Sequence, residues 1–548
     1  MTHHLPKGIN VRLTKATAAL LPALVAVGAA VTVTVTTAQA APPPATTIAS
    51  SGVGTAITPR SVSMFTAQHG RQLATHALNR SPLGRNGKGA GDALPARAAV
   101  GRKTVPLAAS VVAGPNGGPH VVAQPLIAPP ATQASFSGIN SATSNCGCQP
   151  PDVNAAVSPT QIMEVVNLKL RVYNKAGTAV ACGAALSTFL GTSEPLSDPR
   201  VMYDIANGRW FMDLIPIPTA STQTPAMYLA ASQSSNPCGN WWIYRIGFSG
   251  ASFPAGALLD YPYLGQDPNA ILSSTNNFSF AESYLNSTAF AIPKAKVYAG
   301  QGISFPAFAT AFSTAPTTDS FGGVAPATTY FLASAPGAGY DLYAMTNSAG
   351  PGTTYTHQAS IASAFNAPTR RVNQPTTTNT LDPLDGRIVW APVYDAGFVW
   401  FAHGQDLGGF PAVRYGAIGV GSNAAFTATA FHNGTSDDFN PSLGASETGG
   451  FHAWLNWAYT DTPNGVPTND TINGVTPGTG VPNLTSGDRI IAHGQVTTSN
   501  FRFGDFSSVA IDPAAVSGSC AAGKTALVAQ QFFFNNDWDT RLARVSFC

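Results

Sequence analysis

From about Ser135 to the C-terminus, hydrophobic positions come in short runs separated by clusters of Asn, Asp, Gly and Pro. The runs are Ile162–Val165, Leu168–Tyr173, Trp210–Ile215, Met227–Ala231, Trp241–Ile246, Ile271–Ser274, Thr329–Ser334, Phe398–Ala402, Ala424–Ala430, His452–Trp457, Ala526–Phe534 and Leu542–Phe547. They are rich in β-branched and aromatic residues and bounded by turn formers, so each reads as a strand. No longer stretch carries a convincing helical period. The pattern predicts an all-β chain built of many short strands.

A repeat sharpens this. Asp198-Pro199-Arg200 is followed by Asp204, Asn207-Gly208 and the strand Trp210-Phe211-Met212. Asp260-Tyr261-Pro262 is followed by Asp267, Asn269 and Ile271-Leu272-Ser273, and Asp505-Phe506-Ser507-Ser508 by Asp512-Pro513 and Ala526-Leu527-Val528. Looser copies begin at Asp152 and Asp385. An Asp that bonds its own backbone two residues on fixes a tight turn between two strands. Radial repetition of such units protects the edges of short sheets. The expected fold is a β-propeller over residues 135–548, with about seven blades, six or eight also fitting the irregular repeat.

The front of the chain is different. Lys7, Arg12 and Lys15 precede an apolar run from Ala18 to about Val35, and Ala38-Gln39-Ala40 closes it. This is the pattern of a cleaved signal peptide over residues 1–40, with a retained membrane anchor as the alternative. No second hydrophobic stretch is long enough to span a bilayer. Residues 41–134 are rich in Ala, Pro, Gly and Thr without sustained periodicity, and read as a weakly ordered basic segment or propeptide.

Charged residues make up only 10% of the chain, so the polar surface must come from Ser, Thr, Asn and Gln. The formal charge of +2 hides a split: beyond residue 130 there are 17 basic and 25 acidic residues. An acidic body excludes the basic footprint a nucleic-acid binder needs. Six cysteines, at 146, 148, 182, 238, 520 and 548, suit a secreted or envelope-associated protein with three disulfides. A propeller must join its first and last blades, which points to a Cys520–Cys548 bridge; the pairing of Cys146, Cys148, Cys182 and Cys238 is left open.

Several residues can carry chemistry. Asp152, Asp198, Asp260, Asp385 and Asp505 either hold turns and inner-strand backbones or converge at a channel mouth, where carboxylates would suit Ca²⁺. No EF-hand spacing supports the metal, and no other cofactor is expected. Asp437, Asp438 and Glu447 precede His452, Trp454 and Trp457. Paired carboxylates could act as acid and base on a glycosidic bond, and indoles could stack on sugars; the alternative is a polar loop beside core tryptophans. Gly518–Thr525 matches the phosphate-loop pattern, but an apolar β-like run follows it where that loop needs a helix.

The segment from Cys148-Gln149-Pro150-Pro151-Asp152 to Arg171-Val172-Tyr173-Asn174-Lys175-Ala176-Gly177 resembles the opening blade of a loosely characterised group of secreted bacterial propellers of sialidase-like fold. Asp260–Asn277, Asn440-Pro441-Ser442, Phe503–Ser508 and Trp538–Leu542 agree, so the resemblance covers about residues 145–548. It implies fold and secretion. It brings no catalytic set, because no arginine here matches the sialidase motifs. Two functions follow: a secreted monomer that binds an extracellular glycan or protein, or a glycoside hydrolase or polysaccharide lyase on the same scaffold.

Overall fold

The computed structural model describes residues 45–64, 128–144, 146, 148–476, 483–485, 487–499, 502–516, 520–535 and 537–548. The signal-peptide pattern of residues 1–40 lies outside them. The architecture is all-β: several small antiparallel sheets and one ten-stranded sheet. Among the described residues no helix is long and apolar enough to cross a membrane.

The chain runs through successive meanders. The first comprises Asn154–Val157, Gln161–Val166, Lys169–Asn174 and Ala179–Ala185. The second comprises Leu196–Asp204, Arg209–Pro216, Ala226–Ser232 and Asn240–Ser249. The third comprises Leu258–Gln266, Ala270–Phe278, Tyr284–Pro293 and Ile303–Thr310. A fourth is built on Thr328–Ala335, Gly339–Thr346 and Thr354–Ala362, with Ala315–Pro316 at its inner edge. A fifth runs through Val393–Asp395, Phe398–Leu407, Phe410–Gly419 and Ala424–Ala430, with Thr318–Asp319 parallel to its first strand. A sixth is Asp437–Ser446, His452–Asp461 and Val466–Thr476, extended by Asn483–Leu484 and Arg489–Ala492. The last is Ser508–Ile511, Thr525–Phe534 and Asp537–Ser546, onto which Ala131–Asn140 pairs from the other end of the chain.

Residues expected to be weakly ordered supply further strands. Ser50–Ala56 pairs with both Asn240–Ser249 and Ile303–Thr310, fusing the second and third meanders into the ten-stranded sheet. The edge strands of that sheet, Leu196–Asp204 and Leu258–Gln266, lie against each other, so it curls nearly closed. Arg60–Ser63 adds to Asn240–Ser249 and Thr46–Ile48 to Thr354–Ala362. Strand partners close otherwise open edges, which is why a segment poor in hydrophobic periodicity is still held.

The apolar cores lie between neighbouring sheets. Met163, Val165, Phe189, Trp210, Met212 and Trp241 fill the space between the first and second meanders. Val153, Val166, Leu527, Phe533, Trp538 and Leu542 fill that between the last and the first. Burying each such side chain contributes about 1.5–3 kcal/mol. The first strands of the meanders pack on one another in sequence, and Ser508–Ile511 packs back on Asn154–Val157.

The cysteines are paired as Cys520–Cys548, the expected bridge, with Cys182–Cys238 and Cys146–Cys148 resolving the open pairings. Thr525, the last residue of the phosphate-loop pattern, begins a strand and not a helix, and Cys520 is bridged. The helix N-terminus that a phosphate needs is not there.

Candidate functional site

The first strands of the meanders pack on one another, and several present polar residues at both ends. At the starting end, Asp152, Asp198, Asp260 and Asp505 come together, with Asp385 nearby. Their carboxylates tie neighbouring sheets. Asp152 accepts the Asp505 N–H at 3.1 Å and the Asn167 side-chain amide at 2.7 Å. Asp198 accepts the Tyr261 N–H at 3.2 Å and the Ser197 hydroxyl. Arg502 donates to Asp505, and Arg387 pairs with Asp385 at 2.6 Å. Asp260 is 0% exposed, and both of its carboxylate oxygens lack a hydrogen-bond partner.

Burial, then the charges of Asp505 and Asp198, raises the Asp152 carboxyl well above its ordinary value. Burial and the neighbouring Asp198 do the same to Asp260, and burial pushes Asp198 up to about 6. For Asp385 burial works the other way from the net result, because Arg387 outweighs it and holds the carboxyl below its usual range. Among the described residues no group of three or more His, Cys, Asp or Glu is arranged to hold a metal ion. Asp152, Asp198, Asp385 and Asp505 are engaged by amides, hydroxyls or arginines, and Asp260 by none of these.

The acids, imidazole and indoles expected to form one hydrolytic group are spread along a hairpin. Asp437 is opposite Thr460, whereas Ser446, next to Glu447, is opposite His452. A strand of this length separates its ends by about 30 Å. Asp438 accepts the Trp457 indole N–H at 2.9 Å, the His432 N–H at 2.7 Å and the Ser436 hydroxyl at 2.7 Å. Asp437 accepts the Asn373 N–H at 2.9 Å. Trp454 and Trp457 are 0% and 1% exposed, so they are core side chains with no face left for a sugar. His452 lies beside Lys524, with its imidazole held below its usual value by burial and by that charge. Glu447 donates its N–H to the Phe321 carbonyl at 2.8 Å, beside the region described next. A hydrogen bond with Asp395, reinforced by burial, pushes it up to about 7.

At the finishing end of the first strands is a cavity of about 360 Å³. Val157, Val201, Met202, Trp390, Val393 and Val509 form apolar walls, and Asp204, Asp267, Asp319 and Lys294 supply its charges. The exposed apolar residues Ile205 and Val324 flank it, 43% and 87% accessible. Local folding fixes the polar set. Asp204 ends its strand and accepts the Asn207 N–H at 3.1 Å, which makes the turn. Asp267 does the same for Asn269 and Ala270, both at 2.7 Å. Lys294 opens the short helix Lys294–Tyr298, and its ammonium lies 2.8 Å from Asp204 and 2.9 Å from Gln266. The Tyr298 hydroxyl donates to Asp204 at 2.9 Å.

The two outer carboxyls of this set are driven apart. Burial disfavours the charge on Asp204, but Lys294 and the Asn207 amides outweigh it and hold Asp204 ionised below its usual range. Asp319, on the two-residue strand Thr318–Asp319, has no hydrogen-bond partner for its carboxyl among the described residues; burial, then the charge of Asp267, pushes it up to about 7. Sequence reasoning noted Asp204 and Asp267 only as turn residues and missed Asp319 and Lys294. The repeat did carry a signal: it marked a second acid after each inner strand.

No protein-family model matches the chain, and no curated protein does. Solved structures give distant likenesses. A Trypanosoma rangeli sialidase mutant with trans-sialidase activity matches with TM-score 0.32 and 8% identity over 68% of this chain, which spans 56% of the sialidase's length. The Phanerochaete chrysosporium exo-β-1,3-galactanase matches with TM-score 0.27 and 11% identity, covering 76% of this chain and 98% of that one. A Synechocystis apocarotenoid oxygenase mutant matches with TM-score 0.29 and 11% identity, covering 69% and 65%. The likeness is spread over several enzyme families of propeller or barrel fold and singles out no secreted bacterial group. No residue role is transferred from any of them.

Proposed function

We propose that the chain is a seven-bladed β-propeller that hydrolyses a glycan at the axial cavity, outside the cell. The blade reading is supported by the meanders in succession, the cores between them and the return of Ala131–Asn140 to the last sheet. Export is supported by the three disulfides, which persist in oxidising compartments.

The observation that carries the activity is the pairing, in one cavity, of a carboxyl poised near neutrality with a carboxylate, Asp204, that stays charged. Groups pushed apart in this way divide acid and electrostatic roles. Asp319 holds the proton that goes to the leaving glycosidic oxygen, and afterwards takes one from the incoming water. Asp204, saturated by its donors, is too well satisfied to attack; it supplies fixed negative charge to the cationic sugar of the transition state. The low-polarity walls strengthen that interaction. This favours the hydrolase, the alternative in the sequence reading, over the simple binding module that was its main reading.

The test is release of reducing ends from a panel of polysaccharides by the purified protein. Because Asp319 must be protonated, activity falls about tenfold per pH unit above about 7. Asp319→Asn lowers the rate by about 10²–10⁴-fold with its thermal midpoint no lower than the parent's. Retention of a glycan without cleavage would make the protein a lectin-like module and end the hydrolase reading.

A further inference from the structure

The cavity also carries information about which glycan fits it. Its lining holds three carboxyl groups, one ammonium, and no guanidinium or imidazole. The ammonium is already engaged: Lys294 is 5% exposed at its side chain and points at Asp204 and Gln266. Nothing is left to meet an anion. A uronate or sialate carboxylate would face Asp267 and Asp319 without a counter-charge, which is costly in a walled site. Asp267 has its turn amides and Thr329 for partners, whereas the half-buried Asp319 carboxyl has none among the described residues and opens on the cavity. An acceptor without a donor, inside an acidic enclosure, asks for a positively charged donor.

We propose that the sugar unit seated in this cavity carries a free ammonium group, so that the substrate is a polymer of deacetylated amino sugar. The inference rests on the cavity being the sugar site, as argued above. The ammonium supplies three donors, one of them to Asp319, and its charge offsets the acidic lining. The alkyl face of the same ring lies on the apolar wall around Met202, Trp390 and Val509, where the Trp390 N–H is already bonded to the Val509 carbonyl at 3.1 Å.

A pH signature follows. One proton is shared between Asp319 and the amine: with the proton on the amine the ion pair gives the affinity, and with the proton on Asp319 the carboxyl can protonate the leaving oxygen. Affinity therefore peaks near pH 7, where Asp319 ionises, and declines toward both acid and base. An N-acetylated sugar has no such proton to share and binds independently of pH.

The probes are three tetrasaccharides, of glucosamine, N-acetylglucosamine and galacturonate, titrated calorimetrically into the full chain. The glucosamine oligomer is expected to bind about tenfold or more tightly than its acetylated twin near pH 7. That preference should shrink at about pH 5 and about pH 9, and the uronate should not bind. Asp319→Asn, checked for a melting temperature no lower than the parent's, should lose the preference. Equal or tighter binding of the acetylated or uronate oligomer, a flat pH dependence, or no binding of any probe would overturn the proposal. Reducing ends counted in the same mixtures separate the two readings. Preference without cleavage sinks the hydrolase and leaves the ammonium site; cleavage of the acetylated oligomer in preference does the reverse.

Discussion

At the scale of single residues, each end of the first strands uses aspartate differently. At the cavity, Asp204 is paid in hydrogen bonds and a lysine for staying charged. At the opposite end, Asp260 is fully buried with both oxygens unpartnered, facing Asp198 and Asp505 as well as Arg387 and Arg502. An isolated buried carboxylate is expensive, so the group keeps its proton. The sign of the consequence is fixed: the folded pKa lies above the unfolded one. Below about pH 4 both states hold the proton and Asp260 costs nothing; above it the unfolded chain ionises first, and stability drops by about 1.4 kcal/mol per pH unit until the folded group ionises too. Asp260→Asn removes this loss. Urea midpoints of the variant and the parent should separate progressively, in favour of the variant, between about pH 5 and about pH 8; a constant difference across that range would show that Asp260 is charged in the folded state. Asp319 shows the limit of reading such residues from sequence. It lies between Thr318 and Ser320 in a stretch with no hydrophobic period, and only the fold brings it to Asp267.

At the scale of elements, the strands legible from hydrophobic pattern are those that pack between sheets. Trp210–Ile215, Met227–Ala231 and Trp241–Ile246 all fall inside observed strands. The first strands of the meanders were not legible as strands, although their repeat was visible. Leu196–Asp204, Leu258–Gln266 and Asp437–Ser446 are buried along nearly their whole length, yet contain Asp, Asn, Gly and Pro. Each carries one non-glycine residue of positive φ just before its proline: Asp198 at 58°, Tyr261 at 50° and Asn440 at 51°. The ladder shifts register at all three places, and a proline is tolerated at such a bulge because no ladder donor is needed there. A pattern-based reading takes these tripeptides for turns. The strands before residue 64 were missed for another reason: Ser50–Ala56, of sequence SSGVGTA, has almost no hydrophobic signal, and Gly52 and Gly54 are there because Phe253 and Phe305 occupy the space a Cβ would fill. This strand is hydrogen-bonded on both edges. If a protease site is placed between residues 65 and 127 and cut, the fragment ending near Met64 should stay with the body through gel filtration in native buffer and leave it in urea. Its loss in native buffer would mean that the ten-stranded sheet does not need it.

At the scale of the whole molecule, the cores are shared between neighbouring meanders, so each meander depends on its neighbours. Closure is made by Ala131–Asn140 on Asp537–Ser546, within the sheet that Cys520–Cys548 also braces. The three bridges enclose very different lengths of chain: separations of 2, 28 and 56 residues for Cys146–Cys148, Cys520–Cys548 and Cys182–Cys238. If a bridge acts by restricting the unfolded chain, its contribution grows with the logarithm of that length. The expected losses on replacing each pair by serine are about 1, about 3.5 and about 4 kcal/mol in that order. The shared cores add a second expectation: each variant should melt in one transition, because a sheet that loosens takes its neighbours with it. Denaturant titrations of the three double variants check both points. A Cys146/Cys148 variant as destabilised as the other two would show that this bridge acts in the folded state, by holding the chain where Trp538 donates its indole N–H to the Cys148 carbonyl at 2.8 Å. Two separate transitions in the Cys520/Cys548 variant would show instead that the last sheet can open while the remaining sheets stay folded.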